Sequence, residues 1–205
     1  MSNNFDERFR NYSRPADNNK SYVLEKLKGL FLEPGLVLEI GSGAGQHAVY
    51  CARHLPHLIW QPTDQAEYLH DLSRNISELA PANVNLPLAL DVSESDWSLD
   101  EADYVYSANT LHIMSEGQVT QFIEGVGRVL KNNGLLALYG PFKYNGEFTT
   151  DSNARFDLWL KDRDKRSGVR DFETIQQLSA NNGMELQHDF AMPVNNQLLV
   201  FCKNA

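Results

Sequence analysis

The segment Val37-Leu38-Glu39-Ile40-Gly41-Ser42-Gly43-Ala44-Gly45-Gln46-His47 constrains this chain more than any other. A short apolar run reads as a buried strand, glycines at 41, 43 and 45 make a tight turn, and a helical pattern starts at Gln46. Glycine belongs where the backbone takes positive φ, or where a ligand must come close without meeting a Cβ. The helix start that follows offers free backbone N–H groups to an acceptor. The spacing is GxGxG, and Gln46 stands where the dinucleotide fingerprint GxGxxG has its third glycine. That substitution disfavours a nicotinamide-dependent oxidoreductase.

The rest of the chain repeats the alternation. A helix is predicted over 16–31 on Val23, Leu24, Leu27, Leu30 and Phe31, ended by Pro34-Gly35, with a strand over 36–40. Helices follow over 46–55 and 66–79, separated by a strand over 58–61 that Pro62 and Asp64 close. Residues 84–92 form a third strand candidate, weakened by Pro87 in its middle. Strand 102–107, helix 117–130 and strand 134–139 complete a pattern that specifies a parallel sheet covered on both faces. The tail differs: a polar stretch over 142–153, helices near 154–161 and 172–182, and a terminal hairpin of 184–190 with 197–202. Without repeats or linkers the chain reads as one domain over 1–205. Residues 1–33 form an N-terminal helical cover, and 142–183 a lid with its helices.

Two further acids extend the glycine motif. Asp64 lies nineteen residues beyond Gly45 at the end of the second strand, where a carboxylate can accept hydrogen bonds from both hydroxyls of a ribose. Asp91, with Val92 beside it, closes the third strand where an adenine amino group would be read. Turn and acids together suit an adenosine-containing ligand with no pyrophosphate requirement. The same residues also serve a tight turn and helix caps.

The run EIGSGAG, the acid at Asp64 and the βα alternation resemble a class I S-adenosylmethionine-dependent methyltransferase. More narrowly, the blocks GSGAGQHA, WQPTD, YGPF, SNARFD, GVRD and MPVNN resemble the bacterial domain-of-unknown-function 938 family and the eukaryotic methyltransferase-like protein 26 family. That resemblance implies a Rossmann-like α/β fold with a mostly parallel seven-stranded sheet, a C-terminal antiparallel hairpin and helices on both faces. It implies S-adenosylmethionine as methyl donor and S-adenosylhomocysteine as product. It also implies a donor site of Glu39, Gly41, Ser42, Gly43, Gly45, Asp64, Asp91, Val92 and Ala108. Members begin with an alanine-rich segment ending in Arg-Asn-Lys, whereas this chain has Asn18-Asn19-Lys20, with asparagine at the arginine position.

Methyl transfer from a sulfonium needs alignment and, for a poor nucleophile, removal of a proton. The ends of the fourth and fifth strands carry the candidates. Ser107-Ala108-Asn109-Thr110-Leu111-His112 supplies Asn109 to line the donor and His112 as a base with an ordinary pKa near 6.5. Tyr139, from Tyr139-Gly140-Pro141-Phe142, is a third catalytic candidate. His112 also suits a structural or capping role. Acceptor-binding candidates are Tyr144, Asn153 and Asp157 (four apart on one helix face), Arg170, and Asn196 in the terminal turn. Arg163, Arg166 and Arg170 could hold an anionic substrate group or pair with Asp162, Asp164 and Asp171.

Charge restricts the acceptor. Over 205 residues, 18 Lys and Arg against 27 Asp and Glu give a net charge of −9, which disfavours a nucleic-acid partner. The fourth strand end also lacks a [DN]PPY tetrad, as base or protein methylation would favour, so a small-molecule acceptor is expected. A non-catalytic S-adenosylmethionine-binding module is the alternative. No metal is expected, because no histidine pair has i, i+4 ligand spacing and two distant cysteines form no motif. The absence of an apolar run of about 18 residues or of a leader pattern predicts no membrane association and a cytoplasmic location.

Overall fold

The computed structural model describes residues 8–205. The start of the expected N-terminal cover, residues 1–7, lies outside the described residues. The chain forms two compact units: one takes in residues up to Asp91 together with Ala102–Tyr106, the other Val92–Glu101 and Ser107–Ala205.

In the first unit, helix α1 (Arg14–Leu30) starts at Ser13, whose side chain accepts the Ala16 N–H, and it buries Val23, Leu24 and Leu27. Phe31 follows it and stacks on Tyr104 with ring centroids 4.3 Å apart. Strand β1 (Gly35–Ile40) pairs in parallel with β2 (Leu58–Asp64) on one side and β4 (Ala102–Ala108) on the other. Flanked on both edges, it reads as a nearly continuous apolar run. Helix α2 (Gln46–His54) leaves the glycine turn, and α3 (Leu69–Leu79) buries Leu72, Ile76 and Leu79.

The expected third strand over 84–92 shrinks to β3 (Leu88–Ala89), parallel to Thr63-Asp64 of β2, with an isolated bridge between Trp60 and Val84. Pro87, between bridge and strand, has no N–H to give to a ladder, and pairing resumes only after it.

In the second unit, α4 (Glu116–Val129) opens with a capping box of Ser115 and Gln118. It buries Val119, Phe122, Ile123 and Val126. Trp97 lies across Gly125, where a Cβ would stand 1.9 Å from the indole. Strand β5 (Leu130–Gly140) follows α4 directly, four residues before its expected start. The terminal hairpin is present as β9 (Met184–Met192) and β10 (Asn196–Lys203), joined through Val194 and Asn195 at φ 60° and 59°. The polar stretch over 142–153 contains two short strands. Strands β6 (Phe142–Tyr144) and β7 (Glu147–Phe148) form a hairpin whose turn residues, Asn145 and Gly146, have φ of 51° and 78°. The Asn-Gly pair is the residue choice for a two-residue hairpin turn, so this signal was in the sequence. Helix α5 (Asp151–Arg163), β8 (Arg170–Asp171, parallel to β6) and α6 (Phe172–Asn181) complete the unit.

The larger sheet runs β3-β2-β1-β4-β5-β10-β9, seven strands with the antiparallel pair at one end; the smaller runs β7-β6-β8. Among the described residues, no helix is long and apolar enough to cross a membrane.

Candidate active site

The glycine turn is anchored before any ligand is considered. Gly41 and Ser42 both donate their N–H to the Thr63 carbonyl at 3.0 Å, and Thr63 donates its own N–H to Ser42 Oγ at 3.2 Å. Gly41, Gly43 and Gly45 have φ of 77°, 56° and 80°, so all three occupy the left-handed region. Two of them answer different demands. A Cβ on Gly45 would stand 2.9 Å from Leu72 Cδ1 and 3.0 Å from Ile76 Cδ1, so this glycine lets α2 start against α3. A Cβ on Gly43 would meet nothing within 4 Å, so this one leaves open space above the turn. Gly45 caps α2 without any side-chain bond to the first turn, the arrangement that leaves backbone donors for an acceptor.

Asp64 ends β2 half-buried. Its Oδ2 accepts the Gly43 N–H at 2.7 Å and its Oδ1 the Gln65 N–H at 2.8 Å. Burial raises its pKa above the usual carboxylate value, against the pull of those two bonds. Each oxygen keeps a further lone pair, so the carboxylate is fixed in direction and can still accept two hydroxyls. Leu90 donates its N–H to the Asp64 carbonyl at 2.9 Å, which sets Asp91 next in line, partly exposed and followed by buried Val92.

Glu39 lies deeper. It is buried, accepts from Trp60 Nε1 at 2.8 Å, and burial pushes its pKa up to about 7. It supports the strand from which the turn springs. Beside it, His47 is wired at both nitrogens: Nε2 to Asn19 Oδ1 at 2.7 Å, and Nδ1 to the Tyr106 hydroxyl. Since Asn19 presents an oxygen, Nε2 carries the proton and Nδ1 accepts from Tyr106. Burial lowers the His47 pKa to about 4.

Sequence reasoning did not anticipate how the N-terminal segment is fastened to this turn. Gln46 bonds both Ser13 backbone groups, Oε1 to the N–H at 2.6 Å and Nε2 to the carbonyl at 3.2 Å. Asn75 does the same for Arg10 at 3.0 Å each and also donates to the Ala44 carbonyl at 2.9 Å. Asn19 anchors α1 through His47, whereas Asn18 is exposed and makes no such bond.

In the second unit, Ala108 ends β4 and Asn109 turns away with φ 57°, its N–H bonded to the Tyr139 carbonyl at 2.8 Å. His112 is buried, and burial, then the charge of Arg170, lowers its pKa to about 4. The Phe156 ring of α5 meets its imidazole edge-on at 5.1 Å, and Trp159 stacks on Phe156 at 5.7 Å.

The residues chosen for acceptor binding are mostly committed within the protein. Arg170 donates to the carbonyls of Leu111, Met114 and Arg166 at 3.2, 2.8 and 2.9 Å, which leaves it as the brace of the 111–114 turn. Asp157 accepts the Val169 N–H at 2.8 Å and pairs with Lys161 at 2.7 Å. Asn153 donates to Thr149 Oγ1 and to the Asn195 carbonyl, each at 2.9 Å. Asn196 donates to the Tyr139 hydroxyl at 3.0 Å, and Tyr144 donates its hydroxyl to Asp189 at 2.7 Å. Arg166 pairs with Asp164 at 3.0 Å, and Arg163 lies over the Trp159 ring at 4.7 Å. Tyr139 and Lys143 have the spacing of a Tyr-xxx-Lys dehydrogenase pair, but Lys143 faces Asp171 at 4.0 Å and the Phe148 ring at 5.8 Å. Among the described residues no group of three or more His, Cys, Asp or Glu could hold a metal ion.

The profile of the family described as "Protein of unknown function (DUF938)" matches residues 10–203. The chain belongs to this DUF938 family. An uncharacterized methyltransferase of Synechocystis sp. is 31% identical over 117 residues, 55% of this chain and 50% of that protein. Among solved structures, an O-methyltransferase family protein from Burkholderia thailandensis superposes with a TM-score of 0.83 at 16% identity, covering 94% of this chain and 57% of the other. Human N-acetylserotonin methyltransferase in complex with S-adenosylmethionine gives 0.80 at 18% identity, covering 93% and 53%. A putative O-methyltransferase from Nostoc punctiforme gives 0.78 at 20%, covering 92% and 56%. The DUF938 chain spans about half the length of each of these proteins, and it has the methyltransferase fold.

Proposed function

We propose that this DUF938 protein is an S-adenosylmethionine-dependent methyltransferase acting on a small molecule. The observation that carries the reading is the pairing of Gly43 and Asp64. The glycine leaves open space where a side chain would stand, and its N–H aims the Asp64 carboxylate. The relatives' own descriptions as methyltransferases, one holding S-adenosylmethionine, support it. Asp64 would hold the ribose, Asp91 the adenine, and the glycine turn the methionine portion; Glu39 supports the turn from below.

When bound, S-adenosylmethionine supplies a methyl carbon already activated by the sulfonium, so that the new bond forms as the carbon–sulfur pair returns to sulfur. His112 takes the proton that the acceptor releases. An imidazole held neutral by burial is available at pH 7, and the proton becomes acidic as the acceptor's lone pair is drawn into the new bond. Asn109 orients the acceptor, and Tyr139 shapes the same strand end through its bond from Asn196. A net charge of −9 weighs against a polyanionic acceptor.

Calorimetric titration with S-adenosylhomocysteine tests the reading. Saturable one-to-one binding is expected, and wild-type protein that releases no heat of binding at millimolar product sinks it.

A further inference from the structure

Around Gly140, three polar side chains stand apart from their well-bonded neighbours. A Cβ on Gly140 would lie 3.9 Å from Asn109 Oδ1 and 3.9 Å from His112 Nδ1. Gln197 of β10 is the direct cross-strand partner of Gly140 in the antiparallel pair, so its side chain leaves the sheet on the same face. Among the described residues, neither the Asn109 carboxamide nor the His112 ring makes a hydrogen bond, and Gln197 Oε1 is buried without a partner. Every other asparagine, arginine and carboxylate singled out nearby is bonded inside the protein. A buried acceptor atom left alone loses its hydration without a replacement bond, so such a group calls for an explanation.

Gly140 sharpens the point. It lies in a strand with no positive φ, and its missing Cβ would meet only ordinary van der Waals neighbours. Neither backbone strain nor packing demands glycine here. What an alanine would take away is the space between Asn109 and His112.

We propose that Gly140 and Gln197, with Asn109 and His112, form the seat for the acceptor's nucleophilic group, and that the seat takes a neutral hydroxyl. The assignment rests on the methyltransferase reading above. Two carboxamides and an imidazole offer hydrogen-bond acceptors, and Arg170, the cation that acts on His112, is already bonded to three backbone carbonyls, so a carboxylate or phosphate finds no free counter-ion there. Arg170 acts electrostatically on His112, and its charge works against an ammonium, the form an alkyl amine takes at pH 7. A hydroxyl donates its proton to one of these acceptors, and the Phe156 ring beside His112 offers an apolar wall to the carbon skeleton. In the transfer, the hydroxyl oxygen forms the new bond to the methyl carbon, sulfur keeps the electron pair of the bond that breaks, and the hydroxyl proton goes to His112 Nδ1.

The test needs no knowledge of the natural acceptor. Phenol and benzoate share a ring and differ in what they bring to the seat, a neutral donor or an anion. Each is titrated into the full-length protein saturated with S-adenosylhomocysteine while the His112 imidazole resonances are followed, assigned by their loss in His112→Gln. Phenol is expected to shift them saturably, and benzoate to bind at least about tenfold more weakly. Gly140→Ala should weaken phenol about tenfold or more by filling the space, and Gln197→Leu about fivefold by removing an acceptor. Both variants should keep the melting temperature and the affinity for S-adenosylhomocysteine. Benzoate binding as tightly as phenol, unchanged phenol binding in both variants, or no response of wild-type His112 to phenol overturns the seat. Loss of S-adenosylhomocysteine binding with the phenol response intact overturns the donor reading instead and leaves the seat standing.

Discussion

His47 and His112 are both buried, and burial lowers both to a pKa of about 4. Their wiring differs completely. His47 is bonded at each ring nitrogen, to Asn19 and to Tyr106, and ties the N-terminal helix to the helix after the glycine turn. Among the described residues, the His112 ring has no such partner, and it stands near the open face of Gly140 with an aromatic edge beside it. The depressed pKa, set mainly by burial in both, does not tell them apart. What separates a structural histidine from an available one is whether its nitrogens are already spent.

The comparison breaks most readily at the histidines themselves. His47→Leu takes a donor from Asn19 Oδ1 and an acceptor from the Tyr106 hydroxyl in a buried setting, and should cost about 2–4 kcal/mol of stability. His112→Leu removes no hydrogen bond and relieves a buried polar ring, so it should stay within about 1 kcal/mol of wild type. Urea unfolding of both variants decides it. Equal losses would mean that the two rings are structural alike.

Acid titration extends the contrast. Each histidine falls from an ordinary 6.5 to about 4 on folding, so below pH 6.5 the unfolded chain takes up protons that the folded sites refuse. Stability therefore drops between pH 6.5 and 4, by on the order of 2–3 kcal/mol per histidine at ~1.4 kcal/mol per pKa unit. Glu39 works the other way. Its pKa rises from 4.5 to about 7, so the folded state keeps a proton that the unfolded chain gives up, and stability is lost as pH rises through that range. Melting curves from pH 4.5 to 8 should show His112→Leu with a shallower acid limb. Glu39→Gln should gain more over wild type at pH 8 than at pH 5; the reverse order would contradict a buried, protonated Glu39.

Asp64→Ala probes the preformed half of the molecule. The carboxylate is already aimed by Gly43 and Gln65, so its loss removes an oriented charged acceptor and should weaken S-adenosylhomocysteine by about 1.5–3 kcal/mol, roughly 10- to 150-fold. Calorimetry reads this directly. An unchanged affinity would move the donor elsewhere and leave Asp64 as a cap.

The regions differ in how legible they were in the sequence. Strand, glycine turn and helix are local features, and local pattern located β1, the turn and α2 to within a residue at either end. Asp64 was picked out by its position at the end of a strand, and β2 does end there. The third strand failed because one proline outweighed its apolar neighbours, and the hairpin at Asn145-Gly146 was hidden inside a stretch read by polarity alone. Around Gly140 the relevant information is cross-strand. Gln197 meets Gly140 only through the register of β10 on β5, which no spacing along the chain encodes. Residue type likewise pointed to Arg170 and Asp157 as binding groups. Only three dimensions reveal that their bonds already go to backbone of the same unit.

Tyr139 offers the smallest and sharpest test, because it sits between the bonded and unbonded sets. Its carbonyl holds Asn109 in place, and its hydroxyl accepts from Asn196, which also reaches the Pro193 carbonyl at 3.5 Å. Tyr139→Phe keeps the ring and the backbone bond and deletes only the hydroxyl. If the hydroxyl's work is to pin the terminal turn, the loss should be about 0.5–1.5 kcal/mol in urea unfolding, with phenol affinity at His112 unchanged within about twofold. A phenol response that weakens tenfold at constant stability would bring Tyr139 into the seat beside Asn109 and His112. The boundary between committed and available groups would then run through Asn196 rather than through Gly140.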